Sequence, residues 1–387
     1  MRRGPTGRYD VATTAGEAVR AFVPAPLPPE PPLDLGGARH RLLERAVLAC
    51  GRLDGVSALL PDPDLFLYAY VRREAVLSSQ IEGTQSSLSD LLLFELEEAP
   101  GVPFDDVVEV SNYVAALDHG VRLLRDGLPV SGRMLREVHA KLLARGRGVD
   151  KMPGEFRPSQ NWIGGTRPGN ARFVPPPAAA IADAISALEQ FIHRDDPLPT
   201  LVVAALAHLQ FETIHPFLDG NGRVGRLMIA LLLHEQRVLR QPLLYLSLYF
   251  KKHRDEYYRQ LDAVRREGDW EAWIDFFLEG VASTAGAAVD TAHRLLDLFH
   301  RDEARLIAKG RSGAAALRIY AALRTRPVGT IQSLAERAGV TFPTASKAVD
   351  VLLEEGIARQ LNEGKRNRVF AYDRYLQALN EGAEPFA

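Results

Sequence analysis

Hydrophobic positions recur three and four residues apart along most of this chain, the spacing of helices with one buried stripe. The clearest case is 105–125, where Val107, Val110, Val114, Leu117, Val121 and Leu124 line up. The same reading predicts helices over 40–53, 64–82, 131–144, 178–193, 200–211, 221–239, 248–266 and 270–308. Start signals accompany several of them: Pro61-Asp62-Pro63-Asp64, the Ser87/Asp90 pair that reads as a capping box before a helix to about Leu96, and Ser131 as an N-cap. Two stretches break the period. Residues 1–36 carry Pro24, Pro26, Pro28, Pro29, Pro31 and Pro32 and read as an extended arm over the surface. Residues 146–177 are rich in Gly, Pro, Asn and Arg. Strand-like pieces at 161–163 and 172–174 flank turn chemistry there, which predicts a small exposed β-hairpin, a poor core element and a good binding lip.

Beyond Gly310-Arg311-Ser312-Gly313 the pattern shortens to helices over 314–323, 331–338 and 342–355 and an alternating stretch over 357–372. Helix, short helix, turn, helix and basic hairpin is the winged variant of helix-turn-helix. Residues 312–375 hold 10 Lys/Arg against 6 Asp/Glu in a chain whose net charge is −2. The candidate DNA contacts are Thr344, Ser346 and Lys347 at the start of the third helix and Lys365, Arg366 and Arg368 in the wing. Glu354, Glu355 and Glu363 dilute that face, and contact with a protein partner is the competing use.

The chain-wide charge implies no preference for nucleic acid or membrane. A single cysteine, Cys50, excludes an intramolecular disulfide framework and a Cys-rich zinc site. No secretory signal follows Met1-Arg2-Arg3, and the apolar run 228–233 is too short for a bilayer, so a cytoplasmic protein without membrane contact is expected.

Candidate chemistry concentrates in His215-Pro216-Phe217-Leu218-Asp219-Gly220-Asn221-Gly222-Arg223-Val224-Gly225-Arg226, between two apolar helices. Gly220 to Gly225 also spells G-x-G-x-x-G, but the segment before it reads as helix instead of the strand a dinucleotide site requires. Backbone amides freed by glycine at a helix start form an anion site. Arg223 and Arg226, three apart, face one side and suit a polyphosphate. Asp219 is a hard oxygen ligand for Mg²⁺, and His215 is the group able to take a proton near neutral pH. Together they point to transfer of a phosphorus-centred group to a hydroxyl. His208 reads as a core or supporting residue, and His139, His193 and His234 have no metal-binding spacing. A Glu in the last turn of a helix, as Glu82 is expected to be, faces the negative end of the dipole and wants a cation from elsewhere.

The twelve residues from His215 resemble the signature of the Fic (Fic/Doc) family, H-P-F-x-[D/E]-G-N-[G/K]-R-x-x-R, at every defined position. Gly154-Glu155-Phe156-Arg157 and 160–177 resemble its target-docking flap, and Glu256 to Leu261 its adenine-side helix. The resemblance implies an all-α Fic-type core with a small β-hairpin flap, here followed by the winged helix. It also implies transfer of AMP from ATP, with Mg²⁺, to a protein Ser, Thr or Tyr hydroxyl, auto-modification included. By position, His215 would deprotonate the hydroxyl and Asp219 would hold Mg²⁺. Gly220, Asn221, Gly222, Arg223, Val224, Gly225, Arg226, Tyr257 and Tyr258 would bind ATP. Asn161, Trp162, Ile163, Arg172, Phe173 and Val174 would form the flap that pairs with the target by strand addition.

Ser78-Ser79-Gln80-Ile81-Glu82-Gly83 resembles the family's inhibitory motif, with Ser78 and Glu82 its defined residues. The resemblance gives Glu82 its cation, Arg226, and implies autoinhibition from an N-terminal helix. The expected organisation is an arm over 1–36, a helical region with the inhibitory helix over 37–100, a catalytic core over 101–309 and a winged helix over 312–387. A DNA-binding regulator with a Fic-like core, transfer of another group such as UMP or phosphate, removal of AMP, and a homodimer all stay open at this level.

Overall fold

Every residue from Ala204 to Ile214 is buried, and so is every residue from Arg223 to Leu233. Helices buried on all sides lie at the centre of a helical protein, and the remaining chain wraps these two. The computed structural model describes residues 2–59, 63–96, 104–195, 198–362 and 367–381. It opens with an antiparallel hairpin, β1 (Gly7–Thr14) and β2 (Glu17–Pro24). Helices α1 (Gly37–Leu59), α2 (Pro63–Ile81), α3 (Leu88–Phe94), α4 (Phe104–Arg125) and α5 (Gly132–Leu142) follow. After a loop come α6 (Ile181–His193), the central pair α7 (Thr200–Ile214) and α8 (Asn221–Glu235), then α9 (Ser247–Lys252), α10 (Arg254–Glu267) and α11 (Trp270–Ala308). The chain continues with α12 (Arg311–Thr325), β3 (Val328–Thr330), α13 (Ile331–Ala338), α14 (Phe342–Glu354), β4 (Arg359–Gln360), β5 (Val369–Ala371) and α15 (Asp373–Asn380). The last three strands form an antiparallel sheet in the order β3-β5-β4.

Local sequence explains several boundaries. Ser87 and Asp90 close a capping box at α3, and the Ser131 hydroxyl accepts the Met134 amide at the start of α5. α8 stops at Glu235, short of the expected 239, because Arg237 turns into the left-handed region. Trp273 on the long helix α11 donates its indole N–H to the Ala205 carbonyl at 2.9 Å, which fixes α11 against α7.

Three expectations need correction. The arm over 1–36 is a β-hairpin in its first part: Val19, Ala21 and Val23 alternate on a buried face, and Ala15-Gly16, both at positive φ, make the tight turn. Residues 2–6 and 25–36 run without regular structure. The helix expected over 248–266 is two, α9 and α10, separated at His253, and the turn between them stacks Phe250 on Tyr257 with ring centres 4.6 Å apart. The flap hairpin shrinks to one bridge, Ile163 with Phe173.

Candidate active site

α7 ends where His215 takes a left-handed conformation, φ 49°, its amide still bonded to the Phe211 carbonyl. The loop that follows is held by internal polar contacts. Asn221 donates its side-chain amide to the Phe217 carbonyl and accepts the Phe217 N–H, both at 2.8 Å. Arg157, almost fully buried, donates to the carbonyls of His215, Ser159 and Pro176, and its own amide donates to the Pro216 carbonyl. His139 stacks on Phe217 and accepts the Gly154 N–H at Nδ1, so Nε2 carries the proton and donates to the Asp219 carbonyl at 3.1 Å. Gly220, at φ 75°, then opens α8. The amides of the first turn have no preceding carbonyl to meet, which leaves a positive helix end beside His215.

Burial is the main reason the His215 imidazolium is disfavoured, with Arg157 and Arg265 adding to it against the pull of Glu82, and its pKa falls to about 4. The ring is therefore neutral at neutral pH and able to accept a proton. Its Nδ1 is buried without a hydrogen-bond partner.

Arg226, on α8, points back to α2. Nε donates to the Ser78 hydroxyl at 2.8 Å, and Nη2 donates to the Ser78 carbonyl at 2.9 Å and to Glu82 Oε1 at 2.8 Å. Glu82 follows the last residue of α2, and its side chain stays 34% exposed. Burial works against its charge, but Arg226 prevails and holds the carboxyl below the usual carboxylate range. A Cβ at position 222 would overlap that carboxylate. Gly222 thus lets Glu82 lie on the first turn of α8, where a carboxylate fills the anion position.

Arg223 points the other way, toward α4. It is 2% exposed, as is Glu109, and their Nη1–Oε1 distance is 2.6 Å. Arg147 donates to the other oxygen of Glu109 at 2.8 Å. Asp219 accepts the Gly220 N–H at 2.6 Å, keeps its side chain 38% exposed and lies 3.5 Å from Arg223 Nη2. Among the described residues no three His, Cys, Asp or Glu side chains converge as a metal site. A metal here would use the single carboxylate of Asp219 and fill its shell from water and ligand oxygens, the habit of Mg²⁺.

Several of the expected ligand-binding residues have side chains packed within the protein. Val224 is fully buried. A Cβ on Gly225 would press on Glu212, Phe211 and His208, so this glycine packs α8 onto α7. The Asn221 side chain is spent on Phe217. Tyr257 is buried: His208 donates from Nδ1 to the Gly225 carbonyl, and its Nε2 accepts the Tyr257 hydroxyl at 2.9 Å. Tyr258 stays at the rim and feels the charges of Glu82 and Arg226.

Within the flap, Asn161 donates to the Phe217 carbonyl at 3.1 Å and Trp162 is exposed. Ile163 and Phe173 exchange backbone bonds, Arg172 pairs with Asp262, and the Arg265 guanidinium sits 3.9 Å from the Phe173 ring centre. Val174 is buried against Val19 and Ala21, and its carbonyl accepts the Phe22 amide, so this residue faces the N-terminal hairpin. Glu17 accepts Arg167 Nη1 and the Gly169 amide at the flap tip. Sequence reasoning missed the hairpin, Glu109 and the supporting role of His139. Alternation at Val19, Ala21 and Val23 was available for the first, whereas nothing local marks Glu109.

In the C-terminal unit Lys347 is exposed, Thr344 and Ser346 are half-buried, and Phe342 at the start of α14 is 51% exposed. Arg368 donates to Gln360 and lies on the Phe370 ring. Lys365 and Arg366 lie outside the described residues. Among the described residues no helix is long and apolar enough to cross a membrane.

Residues 40–122 match the family described as "Fic/DOC family N-terminal" and residues 129–233 that described as "Fic/DOC family". A relative from Culex quinquefasciatus named "Protein adenylyltransferase Fic" is 28% identical over 225 residues, 57% of this chain and 39% of that protein. A probable protein adenylyltransferase from Aquifex aeolicus is 27% identical over 188 residues, 48% of this chain and 54% of that protein. The chain thus spans about half or less of the length of these curated relatives. In three dimensions a Fic family protein from Desulfovibrio desulfuricans matches with TM-score 0.58 at 20% identity, covering 89% of this chain and 98% of that one, a likeness of fold.

Proposed function

Because the chain belongs to the Fic/DOC family through residues 40–233, we propose that it transfers AMP from ATP to a hydroxyl of a protein Ser, Thr or Tyr and that Glu82 restrains the reaction. The observation that carries this reading is a neutral His215 beside a helix start whose anion position is filled by the chain's own carboxylate. His215 accepts the target hydroxyl's proton as that oxygen attacks the α-phosphorus, and pyrophosphate leaves. Arg226 holds the γ-phosphate once Glu82 lets go, and the first-turn amides of α8 and the exposed rim of Tyr258 hold the rest. Asp219 is the residue that would hold Mg²⁺, which supplies charge neutralisation on the phosphates. The bridge of Ile163 with Phe173, braced by the N-terminal hairpin, offers its outer edge to an extended target segment. Fixed geometry and electrostatics then do most of the work. Transfer from α-labelled and γ-labelled ATP tests the reading: label retained on protein from the α position alone supports it, and label from the γ position contradicts it.

The C-terminal unit reads as a winged helix, with α13 and α14 as the helix-turn-helix and β4–β5 as the base of the wing. The exposed start of α14 and the β3-β5-β4 sheet favour a second, DNA-binding use. A gel shift with duplex DNA that survives about 0.15 M salt supports that use, and retention only at very low salt argues against it.

A further inference from the structure

A chain of alternating charge runs from the surface into the site: Arg147, Glu109, Arg223, Asp219. Its two middle members are buried and its last is open to solvent. Arg223 and Asp219 stand four residues apart across the start of α8, a spacing at which opposite charges normally close on one another. Here they do not. The guanidinium lies 2.6 Å from Glu109 and 3.5 Å from Asp219, although Asp219 is its nearer neighbour in sequence. Arg147 fixes Glu109 from the opposite side through the second carboxylate oxygen. The contact with Glu109 is one of charge, since neither Nε nor Nη1 of Arg223 has an aligned hydrogen bond, and the guanidinium's aligned bond runs from Nη2 to Asp219.

We propose that Glu109 is a positioning residue for the candidate metal carboxylate, acting through Arg223: it draws the guanidinium inward and leaves the charge of Asp219 available to a divalent cation. The proposal rests on the Mg²⁺–ATP reading above. A buried guanidinium that loses its counter-ion takes the nearest one remaining, and among the described residues the other carboxylate within 4.0 Å of Arg223 is Asp219. Closed on Asp219, Arg223 cancels the charge a hard cation needs. Groups behind a metal ligand commonly change metal affinity by about 10–100-fold when removed.

The test uses the full chain carrying Glu82→Gly, which clears the anion position, and His215→Ala, which prevents turnover. ATP affinity is measured by calorimetry in EDTA and at saturating Mg²⁺, and the ratio of the two is the metal's contribution. Adding Glu109→Gln lowers that ratio about tenfold and leaves the EDTA affinity within about twofold. Adding Arg223→Gln to that variant restores the ratio, because nothing then closes on Asp219. An unchanged ratio, equal losses with and without Mg²⁺, or no recovery in the double variant overturns the proposal, for each describes a merely structural ion pair. Glu109→Asp keeps the charge at shorter reach and lowers the ratio by a smaller factor. It decides alone if the glutamine variant does not fold, a parental ratio then overturning the proposal. A parent that binds ATP with no Mg²⁺-dependent gain overturns the nucleotide reading, and this inference with it.

Discussion

At the scale of single residues the site is a set of buried charges whose protonation the fold controls. His215 is held neutral down to about pH 4 by burial first and by Arg157 next. In the proposed role of general base its neutral form is the active one, so the acid limb of kcat/KM for AMP transfer is expected near pH 4 instead of near 6.5. A pH–rate profile of Glu82→Gly between pH 4 and 8 checks this, and a limb near 6.5 contradicts it. Glu212 behaves in the opposite sense. Burial raises its carboxyl to about 7, against the pull of Arg226, and Oε1 has no hydrogen-bond partner. The folded state therefore holds a proton that the unfolded chain releases near its ordinary value, and stability is lost as pH rises through that window to about 7. Glu212→Gln removes this loss. Its Tm gain over the parent is expected to be larger at pH 8 than at pH 5 by a few degrees, measured by thermal denaturation.

At the scale of elements, the sequence made the helices legible wherever one stripe faced the core. The apolar run of α7, the capping box of α3 and the whole of α11 lie where periodicity and capping chemistry put them. It failed where tertiary contacts decide. The break at His253 has no glycine or proline to announce it and is set by the stacking of Phe250 on Tyr257. That stacking buries Tyr257, whose hydroxyl meets His208. The dodecamer was readable as an anion site, yet the division of labour within it was not. Arg223 and Arg226 look alike in sequence and point to opposite sides, one to Glu109 and the other to Ser78 and Glu82. The flap was recognisable from turn residues, but its bracing by a hairpin over 140 residues away in sequence was not. Glu17→Ala is expected to loosen the tip, speeding hydrogen exchange at the Gly169 amide about fivefold or more while exchange in α7 stays unchanged, since one charge-assisted bond is worth about 1–3 kcal/mol. Unchanged exchange at Gly169 contradicts the bracing role.

For the molecule as a whole, the C-terminal unit is tied to the rest by polar and apolar contacts. The Tyr372 hydroxyl donates to Asp302 on α11 at 2.7 Å, and Arg73 on α2 donates to the Glu381 carbonyl at 2.8 Å. One apolar cluster continues from α11 through Leu306, Ala316 and Tyr320 into that unit. Tyr372→Phe, which strips a buried carboxylate of a donor, is expected to cost about 1–3 kcal/mol in denaturant unfolding while the chain still unfolds in one transition. Two separated transitions contradict this continuity. Initial rates of protein labelling from α-labelled ATP test the restraint by the Arg226–Glu82 contact most directly. Glu82→Gly is expected to label at least about tenfold faster than the natural sequence, the low end for a charged contact because Glu82 is a third exposed. His215→Ala added to Glu82→Gly abolishes the label. Equal rates with and without Glu82 would contradict the account.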